Sequence, residues 1–315
     1  MQYRTLGRTG LKVSALSLGG SSLGGHFRAV DESDAIRTVH TAFDLGINFI
    51  DTAPFYGLTR AETVLGKALR GVPRDRYLLA TKVGRYGQSE FDFSAAKVTA
   101  GFEESLQRLG VDCVDILQCH DLEFGSLDQI VNETLPALRK LQAAGKARWI
   151  GITGLPLKIF QEVIPRAEVD TVLSYCRYAL NDTSLLSLLP MLTERNIGVI
   201  NASPLAMGLL TDRGPPAWHP APPKIREACA LAADHCRSRG APIEKLAVQY
   251  AVAAPEVATT LVGTARPENI AKSAAWISEP IDDRLLSEVK EILAPIRDDT
   301  WPSGRPENND DQRKD

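Results

Sequence analysis

The sequence predicts an α/β protein built as a (β/α)8 TIM barrel, with an N-terminal β-hairpin as a cap and one extra helix at the C-terminal end. Short apolar runs typical of buried strands alternate with longer segments whose apolar residues recur at helical spacing. About eight such strand–helix units follow one another, which is the pattern of a closed parallel barrel. A doubly wound Rossmann sheet is the alternative, but its Gly-x-Gly-x-x-Gly fingerprint is absent from the sequence.

The elements follow from turn and capping signals taken in chain order. Residues 2–14 predict the hairpin, because two strand-like runs flank the turn residues 7–10. Helices begin at capping residues such as Asp31 and Ser94 and end at glycines such as Gly145. The predicted barrel strands are residues 13–18, 47–50, 78–81, 114–119, 148–153, 171–175, 198–202 and 257–262. The predicted helices are residues 31–43, 61–69, 94–109, 127–143, 157–163, 184–195, 224–239, 243–253, 267–277 and, as the extra C-terminal helix, 282–293.

The chain predicts a single domain over residues 1–301. No linker composition divides it, and 315 residues can bury one large core. Residues 302–315 are mainly Pro, Asn, Asp and other charged side chains, which predicts a disordered tail.

Composition excludes several classes of function. A formal net charge of −3 gives no electrostatic basis for binding nucleic acid or an acidic membrane surface. No run approaches the ~20 apolar residues of a membrane helix. The five Cys residues include no Cys-x-x-Cys pair, which favours a reduced, cytoplasmic protein, and no metal site is predicted. The sequence does not indicate an oligomeric state.

Four polar residues follow consecutive predicted strands. Asp51 and Tyr56 follow the second strand, Lys82 the third and His120 the fourth. Because α/β barrels carry their chemistry at the C-terminal ends of strands, these side chains are expected to meet at one rim.

A phenol beside an ammonium suits proton transfer. Free Tyr has a pKa of ~10, and a nearby cation favours the phenolate. Asp51 would keep Lys82 charged, and His120 would orient a substrate oxygen. None of the four accepts hydride, so redox chemistry here requires a bound cofactor.

Asp51, Tyr56, Lys82 and His120, at this spacing, resemble the catalytic tetrad of the aldo-keto reductases. The resemblance runs from about residue 3 to residue 304 and is closest to those members that oxidise L-galactose. It implies oxidation of a free aldose at C1 to the lactone, with L-galactose favoured, L-fucose second, and hydride transfer to a nicotinamide dinucleotide. The stretches that carry this closer resemblance are residues 91–94, 114–121, 123–130, 151–156, 202–210, 293–295 and 300–304.

The resemblance also implies where the cofactor binds. Family members that prefer NADP carry a Lys-Ser pair and an Arg five residues after the Ser; here Gly263, Thr264 and Asn269 take those places. The missing cations favour NAD over NADP, although Arg266 could compensate in part. The implied cofactor-binding residues are Ser174, Ser203, Pro204, Leu205, Gly208, Leu210, Gly263, Thr264, Arg266 and Asn269.

The candidate sugar pocket combines aromatic and polar side chains, because sugars pair polar edges with an apolar face. Two other functions stay open: a broad NADPH-dependent aldehyde or ketone reductase, and a nucleotide-binding, redox-sensing regulatory subunit. The candidate pocket residues are Phe55, Arg85, Tyr86, Asp121, Phe124 and Trp301.

Overall fold

The computed structural model describes residues 1–25 and 29–311. Eight parallel strands form a closed barrel in sequential order, with the last strand pairing both the first and the one before it. This confirms the predicted (β/α)8 fold. The hairpin strands are β1 Tyr3–Thr5 and β2 Lys12–Ser14; the barrel strands are β3 Leu16–Gly19, β4 Phe49–Asp51, β5 Leu78–Val83, β6 Val114–Cys119, β7 Ala147–Gly154, β8 Thr171–Tyr175, β9 Gly198–Ala202 and β10 Thr259–Gly263.

The helices surround the barrel, and α1 and α3 begin at the predicted caps Asp31 and Ser94. The side chain of Asp31 accepts a hydrogen bond from the backbone N–H of Asp34, and that of Ser94 from Lys97. The segment predicted as one helix over 127–143 contains a π turn at Ile130–Thr134, just before Pro136, which has no N–H to donate. The α-helices are α1 Glu32–Asp44, α2 Arg60–Leu69, α3 Ala95–Leu109, α4 Leu127–Gln129, α5 Leu135–Ala143, α6 Leu157–Val163, α7 Leu189–Glu194, α8 Pro223–Ser238, α9 Ile243–Ala253, α10 Pro267–Trp276 and α11 Asp283–Leu293.

The β1–β2 hairpin closes the N-terminal end of the barrel. Arg4 Nη1 donates to the carbonyls of Ala254 (2.6 Å) and Val257 (2.8 Å), just before β10. Leu6 is fully buried among the residues of the barrel interior. A Cβ at Gly7 would lie 2.3 Å from the backbone nitrogen of Gly198, so this close contact requires glycine. The opposite, C-terminal end of the barrel is not covered by the hairpin and can hold a functional site.

Side-chain alternation along the strands separates two apolar layers. The barrel interior includes Phe49, Ala80, Ile116 and Leu173, whereas neighbouring residues such as Val172 pack between the strands and the helices. On each strand, the residue two positions after such an interior residue lies on the same side and therefore faces the mouth of the barrel at its C-terminal end. None of the helices in the described part of the chain is both long and apolar enough to cross a membrane.

The segment after Trp301 differs from the expected disordered tail. Residues 302–311, called the strap below, pack across the C-terminal face of the barrel. Asn308 is 5% exposed, and Asp310 forms an ion pair with the buried Arg177 at 2.7 Å. The polar composition of the strap is satisfied by such specific bonds, which composition alone does not predict. Residues 312–315 lie outside the described residues.

Candidate active site

The structure brings Asp51, Tyr56 and Lys82 together at the C-terminal rim. Lys82 Nζ donates to Asp51 Oδ1, to the carbonyl of Thr52 (2.8 Å) and to the phenol oxygen of Tyr56 (3.2 Å). Asp51 is 2% exposed and Lys82 is 1% exposed. A buried ammonium is tolerated here because it has three oxygen acceptors, one of them a carboxylate.

Gln118 holds the second oxygen of the Asp51 carboxylate. Its Nε2 donates to Asp51 Oδ2 at 2.6 Å, and both side chains are buried. Sequence reasoning missed this residue. Its position two residues before His120 on β6, and so on the same face, was the available signal.

Burial and charge act in opposite directions on the ammonium. Burial alone would lower the pKa of Lys82, but the Asp51 carboxylate and the Tyr56 phenol together raise that pKa above its ordinary value. The ammonium is therefore retained, as expected from the sequence.

The phenol behaves differently from the expectation. Burial raises the pKa of Tyr56 above its ordinary value, and the neighbouring Lys82 lowers it without cancelling the effect of burial. Lys82 thus acts in the expected direction, while the net pKa shift is upward. In the protein alone, Tyr56 is a phenol at neutral pH.

His120 completes the group. Its ring lies 5.6 Å from the Tyr56 ring at 88°, an edge-to-face contact, and 6.0 Å from Phe55. Its backbone N–H donates to the carbonyl of Val83 at 2.9 Å, which ties the end of β6 to β5. His120 Nε2 lies 3.6 Å from Asp121 Oδ2. The imidazole is therefore held beside the phenol.

Arg85 and Asp121 form the charged part of an aromatic-lined cluster next to the four rim residues. Arg85 Nη1 donates to Asp121 Oδ2 at 2.5 Å, and its guanidinium carbon lies 3.7 Å above the Phe55 ring and 4.9 Å above Phe124. Phe91 stacks on Phe124 at 4.3 Å and 7°. Sequence reasoning named Phe91 only within a stretch of resemblance; its β-bridge to Arg85 depends on how the short turn between the two residues folds.

Tyr86 and Trp301 contact other elements of the fold. The Tyr86 hydroxyl donates to the carbonyl of Lys97 in α3 at 3.3 Å, and its ring lies under the Lys97 ammonium. Trp301 is 5% exposed and contacts His219 edge-on at 4.9 Å. The described contacts of both residues are with other parts of the fold.

The loop after β9, residues 203–210, has an unusual backbone. Ser203, Ala206 and Met207 adopt positive φ angles of 57°, 46° and 52°, a conformation that costs roughly 1–3 kcal/mol for each such residue. The Leu205 carbonyl accepts from the N–H groups of Gly208 (2.9 Å) and Leu210 (3.2 Å). Pro204 is buried, as is Leu210, which belongs to an apolar cluster. Strained loops of this kind are often found at ligand-binding sites.

Three of the predicted cofactor-binding residues, Gly263, Arg266 and Asn269, are exposed at the end of β10 and the start of α10. Gly263 is exposed, and a Cβ there would lie 3.3 Å from Ser21 Oγ and 3.4 Å from Ser22 Oγ, so the bare backbone leaves a polar notch. Arg266 and Asn269 are exposed at the start of α10, whose N-terminus favours anions. Ser21 and Ser22 were not predicted; their place after the first barrel strand was the signal.

Two of the predicted cofactor-binding residues, Thr264 and Ser174, are buried. Thr264 is buried, and its hydroxyl accepts from the N–H of Arg266 at 3.2 Å. Ser174 follows Leu173, which faces the barrel interior, so Ser174 lies on the outer face of β8 with its hydroxyl shielded from solvent. Tyr175 instead faces the mouth of the barrel. No group of three or more His, Cys, Asp or Glu side chains within residues 1–25 and 29–311 is placed to hold a metal ion.

Comparisons with known proteins show the family of this chain. The aldo/keto reductase family profile matches residues 15–294. The chain is 53% identical over 317 residues to L-galactose dehydrogenase from Arabidopsis thaliana, covering 98% of this chain and 99% of that protein. It is 35% identical over 256 residues to D-arabinose 1-dehydrogenase from Saccharomyces cerevisiae, covering 76% and 75%.

A solved structure supports the same assignment. An aldo-keto reductase from Bacillus halodurans, in its holo form, matches with a TM-score of 0.79 at 27% identity, covering 98% of this chain and 100% of that one. With its barrel closed and Asp51, Tyr56, Lys82 and His120 gathered at one rim, the chain belongs to the aldo/keto reductase family of oxidoreductases.

Proposed function

We propose that this chain is an NAD-dependent aldose 1-dehydrogenase that oxidises L-galactose, with L-fucose as a second substrate, at C1 to the aldonolactone. The observation that carries the proposal is the buried Lys82 ammonium in contact with both Asp51 and the Tyr56 phenol. The 53% identity to L-galactose dehydrogenase over nearly the whole chain supports the choice of sugar.

In this mechanism a bound nicotinamide ring supplies the hydride acceptor for the C–H bond at C1. Tyr56, as the phenolate, takes the proton of the anomeric hydroxyl, so that the C1–O bond becomes the lactone carbonyl. Lys82 stabilises the phenolate from 3.2 Å, and Asp51 holds Lys82 in place. His120 donates a hydrogen bond to the reacting oxygen. In the reverse direction Tyr56 is the general acid.

The cluster beside the four rim residues matches a sugar. Phe55 and Phe124 present aromatic faces, while Asp121 and Arg85 present an acceptor and a donor to hydroxyl groups. Arg85 is tied to Asp121 and lies over both rings, so the polar groups are held relative to the apolar ones. We propose that these four side chains bind the sugar.

The preference for NAD rests on the missing cations at the adenosine end. Gly263, Thr264 and Asn269 carry no charge, and Arg266 is the one basic side chain among residues 263–269. A 2′-phosphate would therefore lack the paired cations that make phosphate contacts strong.

Replacing Asn269 by Arg is expected to shift the ratio of kcat/KM values toward NADP, because the new guanidinium at the start of α10 can pair with a 2′-phosphate. A charge-assisted bond of ~1.5–3 kcal/mol corresponds to roughly a tenfold change or more in this ratio. Asn132→Arg, at an exposed position outside the barrel mouth, adds the same charge and is the matched control. Equal ratios in both variants would place the adenosine end elsewhere.

The test of the function is steady-state reduction of NAD and NADP by the purified protein with a panel of L- and D-aldoses. L-galactose with NAD is expected to give the highest kcat/KM. Dominant reduction of aldehydes by NADPH would retain the barrel and its rim chemistry but overturn the substrate and cofactor. Nucleotide binding without any turnover would favour a regulatory subunit instead.

A further inference from the structure

Glu123 is a buried carboxyl group that joins four parts of the C-terminal face. It is fully buried in the turn after β6, residues 121–125. Its Oε1 accepts hydrogen bonds from the Leu155 N–H after β7 (3.2 Å), the Tyr175 hydroxyl at the end of β8 (3.2 Å) and the Ser303 hydroxyl of the strap (3.0 Å). Burial of a carboxyl group requires hydrogen-bond donors, and here they come from three separate elements, which the carboxyl thereby links.

The strap also forms hydrogen bonds with the backbone of Glu123. The Glu123 carbonyl accepts from the Arg305 N–H at 2.8 Å and from Asn308 Nδ2 at 3.0 Å, and Asn308 Nδ2 also donates to the Gly125 carbonyl at 3.0 Å. A Cβ at Gly304, where φ is +70°, would lie 2.3 Å from the Glu123 carbonyl oxygen. Such close packing holds the turn after β6 in one position.

The turn after β6 carries part of the proposed site. Asp121 has a positive φ of 51°, and its N–H donates to the hydroxyl of Thr153 at 2.9 Å. Asp121 Oδ2 receives Arg85 Nη1 and lies 3.6 Å from His120 Nε2. Any displacement of the turn therefore moves the acceptor of the guanidinium and the carboxylate that lies beside the imidazole.

We infer that Glu123 is a positioning residue: its buried carboxyl and the strap together hold the turn after β6, and through Asp121 they set the positions of Arg85 and His120 for the sugar. The inference rests on the proposed function for its effect on the sugar. Glu123 itself touches no reacting atom. Its action requires that the carboxyl stay uncharged beside the Asp121 carboxylate.

The surroundings of Glu123 support a neutral carboxyl. Burial and the negative charge of Asp121 raise the pKa of Glu123 to about 8, although its hydrogen bonds with Ser303 and Leu155 act in the opposite direction. Tyr175 faces it from β8, and its own pKa is raised well above the ordinary value by burial and by Glu123. Gly154 and Leu155, at the end of β7, carry no ionisable side chain. The strap offers Ser303 and Asn308, which are uncharged, and the Arg305 guanidinium, whose Nε donates to the Phe124 carbonyl at 3.2 Å. The Glu123 Oε2 has no hydrogen-bond partner among the described residues.

The sign of the pH effect follows from these groups. Below pH 8 the folded protein holds the neutral carboxyl, and the turn after β6 stays in place. As pH rises through that value, a second buried carboxylate forms beside Asp121, and their repulsion displaces the turn. We expect KM for the sugar to rise several-fold between pH 7 and 9, without a matching change in the dissociation constant of NAD.

Glu123→Gln and Glu123→Ala separate positioning from simple packing. Gln keeps an oxygen for the three donors and cannot ionise, so KM is expected to match that of the unmodified protein at pH 7 and to stay flat to pH 9. Ala loses the acceptor, and its KM is expected to be raised at both pH values. Rescue by Gln but not by Ala is the signature of the positioning role.

Hydrogen exchange measures the turn without any substrate. Amide protection of residues 121–125, referenced to the β1–β2 hairpin in the same sample, is expected to fall in Glu123→Ala and in the unmodified protein at pH 9, and to persist in Glu123→Gln. Asn308→Ala leaves the Glu123 carboxyl intact and is expected to lower the protection of the same residues. It replaces Glu123→Ala in this test if that variant does not fold.

The two readouts also distinguish this inference from the proposed function. If L-galactose is not oxidised, protection of residues 121–125 still decides whether Glu123 and the strap hold the turn. If L-galactose is oxidised, the inference fails when Gln titrates like the unmodified protein, or when Asn308→Ala changes neither protection nor KM.

Discussion

Tyr56→Phe is expected to lower kcat for aldose oxidation by roughly 10²–10⁴-fold, the range supplied by a positioned acid or base. The ring of Phe keeps the edge-to-face contact with His120, so the shape of the site is preserved. The lost oxygen is the one that Lys82 contacts at 3.2 Å. Binding of NAD, measured by quenching of protein fluorescence, is expected to stay within about twofold because the adenosine site that we propose is on β10 and α10 and not at Tyr56.

Tyr3→Phe is the matched control for this variant. Its hydroxyl donates to the Gly46 carbonyl at 2.8 Å near the N-terminal hairpin, far along the barrel from the rim. Activity of Tyr3→Phe is expected to equal that of the unmodified protein. A Tyr56→Phe variant with comparable activity would remove Tyr56 from the acid–base role and leave the proton acceptor to be sought elsewhere.

The pH profile of the unmodified protein supplies an independent check of the same role. Because burial raises the pKa of Tyr56 despite Lys82, the phenolate is a minor species at pH 7 and increases as pH rises. The kcat for oxidation is therefore expected to rise into the alkaline range, while reduction, which uses the phenol, stays level there. The alkaline rise in kcat is separate from the expected rise in KM assigned to Glu123.

The rim residues were predictable because each depends on local sequence. An apolar run followed by a polar residue marks a strand end, and parallel strands bring successive ends to one edge. Asp51, Lys82 and His120 follow this rule on β4, β5 and β6. No contact between distant residues had to be guessed to place them together.

Other parts of the site depend on contacts that a linear pattern does not contain. Ser174 and Tyr175 differ by one position, and this single step exchanges the outer face of β8 for the barrel mouth. Arg85 and Tyr86 are adjacent in the sequence. The Tyr86 hydroxyl nevertheless bonds to α3, whereas the Arg85 guanidinium bonds to Asp121. The strap had the composition of a disordered segment, and its order comes from specific bonds such as those of Asn308. Composition records the average polarity of a segment and not the partners it finds.

Lys82→Met is expected to be the second most damaging change at the rim. Without the ammonium, burial acts on Tyr56 alone, so the pKa of the phenol rises further and less phenolate is present at neutral pH. The kcat for oxidation at pH 7 is expected to fall by about 10²-fold or more, and the alkaline rise to move to higher pH. A profile of kcat against pH from 6 to 10.5 measures both effects.

The same change also leaves Asp51 as a buried carboxylate without its ion-pair partner, which typically costs about 3–5 kcal/mol of stability. The double variant Asp51→Asn/Lys82→Met removes that charge and keeps an oxygen for Gln118 Nε2, so it is expected to unfold at higher denaturant concentration than Lys82→Met. Its oxidation rate is nevertheless expected to stay low, because the phenol still lacks a cation. Recovery of both stability and rate in the double variant would mean that Lys82 serves the fold and not the proton transfer.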